Sequence, residues 1–160
     1  HIGNGEKFNL KISYSREEEI LGTGGALIKA KDLIGRETFL ILSGDLWTDY
    51  PFSRLINYDS KKKAHLILLK KGKEKEADMN LKNDYIFVDK NSKELTYSGI
   101  GLINPKIYEG IKLDQLQLWK DLLLPFASKQ EISGEVYNGL ALNINLKKDL
   151  EELDVAISEG

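Results

Sequence analysis

The spacing of apolar positions changes several times along the chain, and each change marks an element. Asn9 to Tyr14 alternate apolar and polar, the two-residue period of a strand with one buried face. A loop with Arg16 and Glu17-Glu18-Glu19 follows. Leu21-Gly22-Thr23-Gly24-Gly25 then reads as a flexible turn that opens a helix from Ala26 to Leu33. Thr38 to Leu42 and Ala64 to Leu69 are continuous apolar runs, the pattern of strands buried on both faces. Phe52 to Tyr58 has helical spacing.

Further along, Met79 to Leu81 and Tyr85 to Val88 form a predicted hairpin around Lys82-Asn83-Asp84. Leu95 to Ile103 is a long strand that stops at Asn104-Pro105, and Pro105 opens a short helix at its first position. Leu116 to Phe126 is an amphipathic helix with Pro125 ending or kinking it. Gly139 to Ile144 is a last short strand, and Leu146 to Ile157 a closing helix. Strands alternating with helices predict an α/β fold, a Rossmann-like, mostly parallel sheet with helices on both faces. No linker divides it, so residues 1–160 read as a single domain.

Composition narrows the function. Hydrophobic residues make up 41% and charged residues 30%, enough for a packed core. The net charge is −2 with both signs mixed, which leaves no basic stripe for nucleic acid. Lys61-Lys62-Lys63 and the stretch Lys70 to Glu76 read as solvated surface. With no cysteine there is no disulfide framework, thiolate zinc site or thiol nucleophile. No segment has the length and apolarity of a membrane span, and the opening His-Ile-Gly-Asn-Gly is not a signal peptide. A cytoplasmic protein with no membrane partner is expected.

Candidate chemistry gathers at a few positions. Asp45 directly follows a buried strand, and Gly44 lets the backbone turn before it. Open α/β sheets bind ligands at the carboxyl ends of their strands, where a carboxylate can hold Mg²⁺ against a triphosphate. The same Asp also suits a turn cap, with Thr48 or Asp49 sharing that task. Gly22, Gly24 and Gly25 lie between a strand and a helix, where a backbone can approach a base or phosphate; a plain loop is the simpler reading. Ser98-Gly99 interrupts an apolar strand, a sign of a bulge, a close ligand approach or a packing adjustment. Lys120, beside Trp119, reaches either a phosphate or solvent. His65 starts a buried strand without a His or Cys partner, and reads as structural.

Taken in order, Leu21-Gly22-Thr23-Gly24-Gly25-Ala26-Leu27, Ser43-Gly44-Asp45-Leu46-Trp47-Thr48-Asp49-Tyr50 and Tyr97-Ser98-Gly99-Ile100 resemble the sugar-1-phosphate nucleotidyltransferases. The Gly-Asp-x-Trp-Thr-Asp-Tyr stretch and the run Ser133-Gly134-Glu135-x-Tyr137-x-Gly139 are similar to a uridylyl-transferring branch from bacterial cell-wall recycling. The resemblance covers nearly the whole chain. It implies the nucleotide-diphospho-sugar transferase fold, with a nucleoside triphosphate (UTP in that branch) and a sugar 1-phosphate as partners and Mg²⁺ as cofactor. By the same resemblance Thr23, Gly24, Gly25 and Gly44 face the nucleotide, and Ser98, Gly99, Asn80 and Glu135 line the sugar pocket. Asp45 binds the metal and takes part in catalysis, and Lys120 faces the sugar phosphate.

Two departures carry consequences. The family opens with a strand and a Gly-rich loop carrying Arg and then Lys, which grips the triphosphate; no such segment precedes Gly3-Asn4-Gly5. The chain is therefore expected to start within the domain and to leave an open sheet edge, a route to a homo-oligomer. The family also has a second metal-binding Asp near its C-terminal end, and Asn143 stands at the matching place. An amide oxygen can ligate Mg²⁺ but brings no charge. Two rival readings follow: a non-catalytic nucleotide- or sugar-binding module, and a metal-dependent glycosyltransferase with Asp45 and Asp49 as its acids.

Overall fold

From its amino terminus the chain makes one 3₁₀ turn, Glu6–Phe8, and then runs without regular structure to the first helices. These are α1, Gly22–Lys29, and α2, Lys31–Ile34. Strand β1, Phe39–Leu42, leads through Ser43-Gly44-Asp45 into β2, Leu46–Thr48, and the short helix α3, Ser53–Ile56. Strand β3 is Ala64–Lys70, β4 Asn80–Lys82, β5 Tyr85–Phe87 and β6 Leu95–Ile103. A 3₁₀ turn, Pro105–Ile107, and a π-helical turn, Leu118–Leu123, precede α4, Leu124–Ala127. The chain closes with β7, Ile132–Val136, β8, Ala141–Asn143, and α5, Lys147–Ser158. The computed structural model describes residues 2–56, 58, 61–71, 77–89 and 93–158. The charged stretch from Lys70 onward lies partly outside them, as does position 57 of the expected 52–58 helix.

Six strands form the main sheet in the order β1-β6-β3-β7-β5-β4. Among the described residues only β3 and β7 run parallel; the other pairings are antiparallel. The α/β class stands, but the mostly parallel sheet is corrected to a mixed, mostly antiparallel one. Helix–strand alternation along a sequence does not fix strand direction: β6 follows the β4–β5 hairpin and inserts between β1 and β3, antiparallel to both.

Two cores sit on opposite faces of this sheet. On one face Leu66 and Leu68 of β3 pack with Leu27, Ile28, Leu122, Leu123 and Ile132. On the other Ile67 packs with Ile100, Leu102, Tyr50 and Leu55. Burying a Leu or Ile side chain fully is worth about 1.5–3 kcal/mol, so β3 contributes to both cores at once.

Local chemistry explains the elements that match expectation. Asn83 and Asp84 both have positive φ (49° and 63°), the two-residue primed turn that suits the twist of a hairpin. The Asn104 side chain accepts the Lys106 N–H at 3.0 Å and caps the turn that Pro105 opens. Asp149 accepts the N–H groups of Asn145 (2.8 Å) and Leu146 (2.7 Å) ahead of α5.

Other expectations are corrected. Asn9 to Tyr14 is not a strand. Ile12 N–H bonds Asn4 O, while Leu10 and Tyr14 stay exposed, because alternation makes a strand only where a neighbour supplies the ladder. The first helix begins at Gly22 rather than Ala26, and breaks at Ala30. Strand β1 lies at the sheet edge with Leu40 and Leu42 exposed, so it is not buried on both faces. The segment before Pro125 is a π turn rather than an α-helix; Pro125 has no N–H to direct at the Asp121 carbonyl. Strands β2 and β7 were not expected. The Ser, Gly and Glu of Ile132–Val136 hide its apolar pattern, and their reasons are tertiary.

One of those reasons involves His65, which is buried. Its Nδ1 lies 3.0 Å from Ser133 Oγ, its ring packs on Tyr58 at 4.1 Å, and its Nε2 is buried without a partner. Burial holds its pKa below the ordinary 6.5, against the opposing pull of Glu135 and Asp84 and with a smaller push from Arg54. The unfolded chain therefore binds more protons than the folded one below pH 6.5. Stability is complete above that pH and declines as pH falls. Urea unfolding between about pH 6.5 and 5 is expected to show this decline in the wild type and a flatter profile in His65→Phe. Equal slopes would mean that His65 does not titrate with folding.

Candidate functional site

Strand directions bring the candidate residues toward one edge of the sheet. Because β1 and β3 are both antiparallel to β6, and β7 is parallel to β3, the carboxyl ends of β1, β3 and β7 share that edge with the amino end of β6. Asp45 follows β1, Lys70 ends β3, Val136 ends β7, and Leu95 and Thr96 begin β6. A cleft of about 340 Å³ opens there between Leu69, Lys70, Thr96, Tyr137, Asn138 and Gly139. An adjoining open cavity of about 730 Å³ is lined by Lys70, Lys71, Asn80, Phe87, Lys93 and Val136.

Asp45 and Asn143 lie at neighbouring positions of a separate two-stranded ribbon. Leu46 of β2 pairs with Asn143 of β8, and Ile144 N–H donates to Asp45 O at 2.7 Å. The carboxylate-bearing and amide-bearing residues thus stand one register position apart, and both are exposed. No cluster of three or more His, Asp or Glu lies among the described residues.

Gly99 packs against this turn. It has φ +91°, and a Cβ there would overlap Ser43, whose N–H donates to Gly99 O at 2.9 Å. Only glycine meets both demands without strain. Ser98 is buried, and its Oγ accepts the Ile100 N–H at 3.1 Å.

Glu135 is already engaged. It accepts from the Tyr50 hydroxyl at 2.8 Å and from Arg54 at 3.0 Å. Burial and that carboxylate push the Tyr50 phenol well above its ordinary range. Tyr50 also meets the Tyr137 ring edge-on at 5.0 Å, and the Tyr137 hydroxyl donates to Asp49 at 2.5 Å. In the sequence Tyr137 stands out only as part of a motif, Asp49 as a turn cap or as the second acid of a glycosyltransferase, and Arg54 not at all. The polar run 133–139 was the available signal.

The glycine segment lies elsewhere and has a packing partner. Gly24 and Gly25 are buried in the first turn of α1, and their N–H groups donate to Leu116 O at 2.8 and 3.2 Å. A Cβ on Gly25 would overlap Asp114 O, and one on Gly24 would press on Gln117 and Leu118. Thr23 Oγ1 accepts the Leu118 N–H at 2.9 Å at the start of the π turn. Lys120 is exposed on that turn. Thr23 and Lys120 therefore ride on two packed elements, while Gly44, Asp45, Ser98, Gly99 and Asn143 gather at the sheet edge. Asn80 lines the larger cavity, and its Oδ1 accepts the Glu94 N–H at 3.1 Å.

Known proteins share this fold. The nucleotidyl transferase family profile matches residues 1–80. An N-acetylmuramate alpha-1-phosphate uridylyltransferase from Neisseria meningitidis is 27% identical over 159 residues, spanning 94% of this chain and 69% of the relative. A mannose-1-phosphate guanylyltransferase catalytic subunit beta from Drosophila pseudoobscura is also 27% identical, but the chain spans only 42% of that protein. Among solved structures, a Bacillus anthracis protein described as a glucose-1-phosphate thymidylyltransferase and crystallised with sucrose superposes with a TM-score of 0.81. Its identity is 16%, over 97% of this chain and 68% of that one. The inositol-1-phosphate CTP transferase of T. maritima gives 0.72 at 18% identity, over 99% and 74%. The fold is thus that of the nucleotide-diphospho-sugar transferases. The chain belongs to the nucleotidyl transferase family.

The packing reason for Gly25 is open to test. Gly25→Ala forces a methyl onto the Asp114 carbonyl and is expected to cost about 1–3 kcal/mol in urea unfolding with no ligand present. An unchanged midpoint would remove the packing explanation for this glycine.

Proposed function

We propose that the sheet edge carries the reaction site of a sugar-1-phosphate nucleotidyltransferase. The observation that carries the reading is the ribbon that sets Asp45 beside Asn143 where β1, β3 and β7 end. Family membership supports it. An oxygen of the sugar phosphate attacks the α-phosphorus of a nucleoside triphosphate. The bond from that phosphorus to the bridging oxygen breaks, and pyrophosphate leaves with the electron pair. A phosphate monoester has its second pKa at about 6, so the nucleophile needs no general base at neutral pH. Orientation and charge compensation then supply the acceleration.

The donor set suits Mg²⁺, which is commonly held by one or two carboxylates together with substrate phosphates. Asp45 and the Asn143 amide oxygen would hold the ion, whose charge, when bound, offsets that of the triphosphate. Gly99 lets Ser43 pack against β6 two residues before Asp45, and the space beside Gly44 is open. Thr23, Gly24 and Gly25 are assigned to the nucleobase, Lys120 to the sugar phosphate, and Ser98, Asn80 and Glu135 to the sugar side. UTP and N-acetylmuramate 1-phosphate are the first substrates to try, on the likeness to the Neisseria protein. No helix among the described residues is long and apolar enough to cross a membrane, and a cytoplasmic location goes with these substrates. The uncharged Asn143 favours a second reading, a nucleotide-binding module without turnover.

Calorimetry with UTP, GTP, CTP and dTTP, each with and without Mg²⁺, tests the reading. Mg²⁺-dependent binding of one nucleotide is expected. Asp45→Ala should weaken it at least about tenfold, or ~1.4 kcal/mol. Asn143→Asp adds a charge at the site and should tighten Mg²⁺-dependent binding by about threefold to tenfold, an effect absent without the ion. Pyrophosphate release on adding sugar phosphate separates turnover from the binding-module reading. Binding indifferent to both Mg²⁺ and Asp45 would sink the proposal.

A further inference from the structure

The ribbon that carries Asp45 and Asn143 cannot hold itself in place. Strands β2 and β8 have three residues each, and an isolated two-stranded ribbon is marginal in water. It is a separate sheet, so the six-stranded sheet gives it no ladder. Ser43, Tyr50 and Tyr137 link the ribbon side to the main sheet, and Tyr137 does so from the β8 side. Tyr137 N–H donates to Leu68 O of β3 at 2.8 Å, and the Tyr137 hydroxyl donates to Asp49 Oδ1, just past β2, at 2.5 Å.

The surrounding chain is built to keep this link. The Tyr137 ring folds over Gly139, where a Cβ would overlap both ring and hydroxyl. Its edge meets Tyr50, whose own hydroxyl is anchored on Glu135 of β7. Beside the link, Asp49 N–H and Thr48 Oγ1 both donate to Leu140 O, at 3.2 and 2.9 Å. Thr48 Oγ1 also accepts the Tyr50 N–H at 3.1 Å. The segment 48–50 and the segment 137–140 thus form one knot between the two sheets. Asp45 lies three residues before it on one strand, and Asn143 three residues after it on the other.

We propose that Tyr137 is a positioning residue which, through its hydroxyl on Asp49 and its ring on Gly139 and Tyr50, clamps the β2–β8 ribbon and so keeps Asp45 and Asn143 together for a metal–nucleotide ligand. The inference rests on the reading of Asp45 given above. The clamp bonds to Asp49 and not to Asp45 or Asn143. It acts through the ribbon, so its loss raises the cost of assembling the site rather than removing a ligand.

Tyr137→Phe removes the hydroxyl and keeps the ring. Hydrogen exchange is expected to speed up at the amides of β2 and β8, with β3 and β6 unchanged. Calorimetry should show Mg²⁺-dependent UTP binding weakened by about threefold to tenfold, the size expected for one hydrogen bond. Asp49→Ala should match it, Asp49→Asn, which keeps an accepting oxygen, should lose less, and the Tyr137→Phe/Asp49→Ala pair should be no worse than either single change. Unchanged exchange in the ribbon overturns the clamp. Faster exchange with undiminished Mg²⁺-dependent binding overturns its positioning role. A wild type that binds no nucleotide fails the Asp45 reading and takes the positioning role with it, while the exchange result still decides the clamp itself.

Discussion

Strand β3 is hydrogen-bonded on both sides and buried on both faces, and the other elements are arranged around it. Its antiparallel ladder to β6 and parallel ladder to β7 hold together the centre of the sheet. Leu66 and Leu68 enter one core and Ile67 the other, and all three are wholly inaccessible. A strand in this position must be apolar at almost every residue, because neither face reaches water. Its one buried imidazole, His65, is tolerated because Ser133 on the neighbouring strand meets Nδ1 and the Tyr58 ring covers it.

The direction of β3 also decides where chemistry can gather. Three strands finish at one edge and leave their connecting turns there, including Ser43-Gly44-Asp45 and Tyr137-Asn138-Gly139. Turns at such an edge are free to expose carboxylates, amides and backbone groups that the strands themselves must bury. The edge combines a rigid floor with a small, separately paired ribbon.

Glycine illustrates how far local reading reaches. Gly24 and Gly25 stood out in the sequence as a backbone that a ligand could approach closely. In the fold it is the 114–118 segment that approaches them. A missing Cβ does not by itself say what fills the space. Gly99 is the same case with a different neighbour: both its φ of +91° and its contact with Ser43 require glycine.

What the sequence determined by itself was local. The buried run of β3, the bounds of β6, the Asn83-Asp84 hairpin, the Pro105 turn and helix α5 all follow from residue period, turn chemistry and caps within a few positions of each other. Asp45 and the glycine motifs were visible as candidates for the same reason, whereas Asn143 entered only through the resemblance to the nucleotidyltransferases. Only the tertiary structure decided strand direction, the edge position of β1, the existence of β2 and β7, and the fate of Asn9 to Tyr14. Those features depend on a partner far along the chain. A short strand gains its stability from the neighbour that completes its ladder, and no pattern within the strand names that neighbour. The pairing of Leu46 with Asn143, across almost a hundred residues, is therefore what brings two separate motifs side by side.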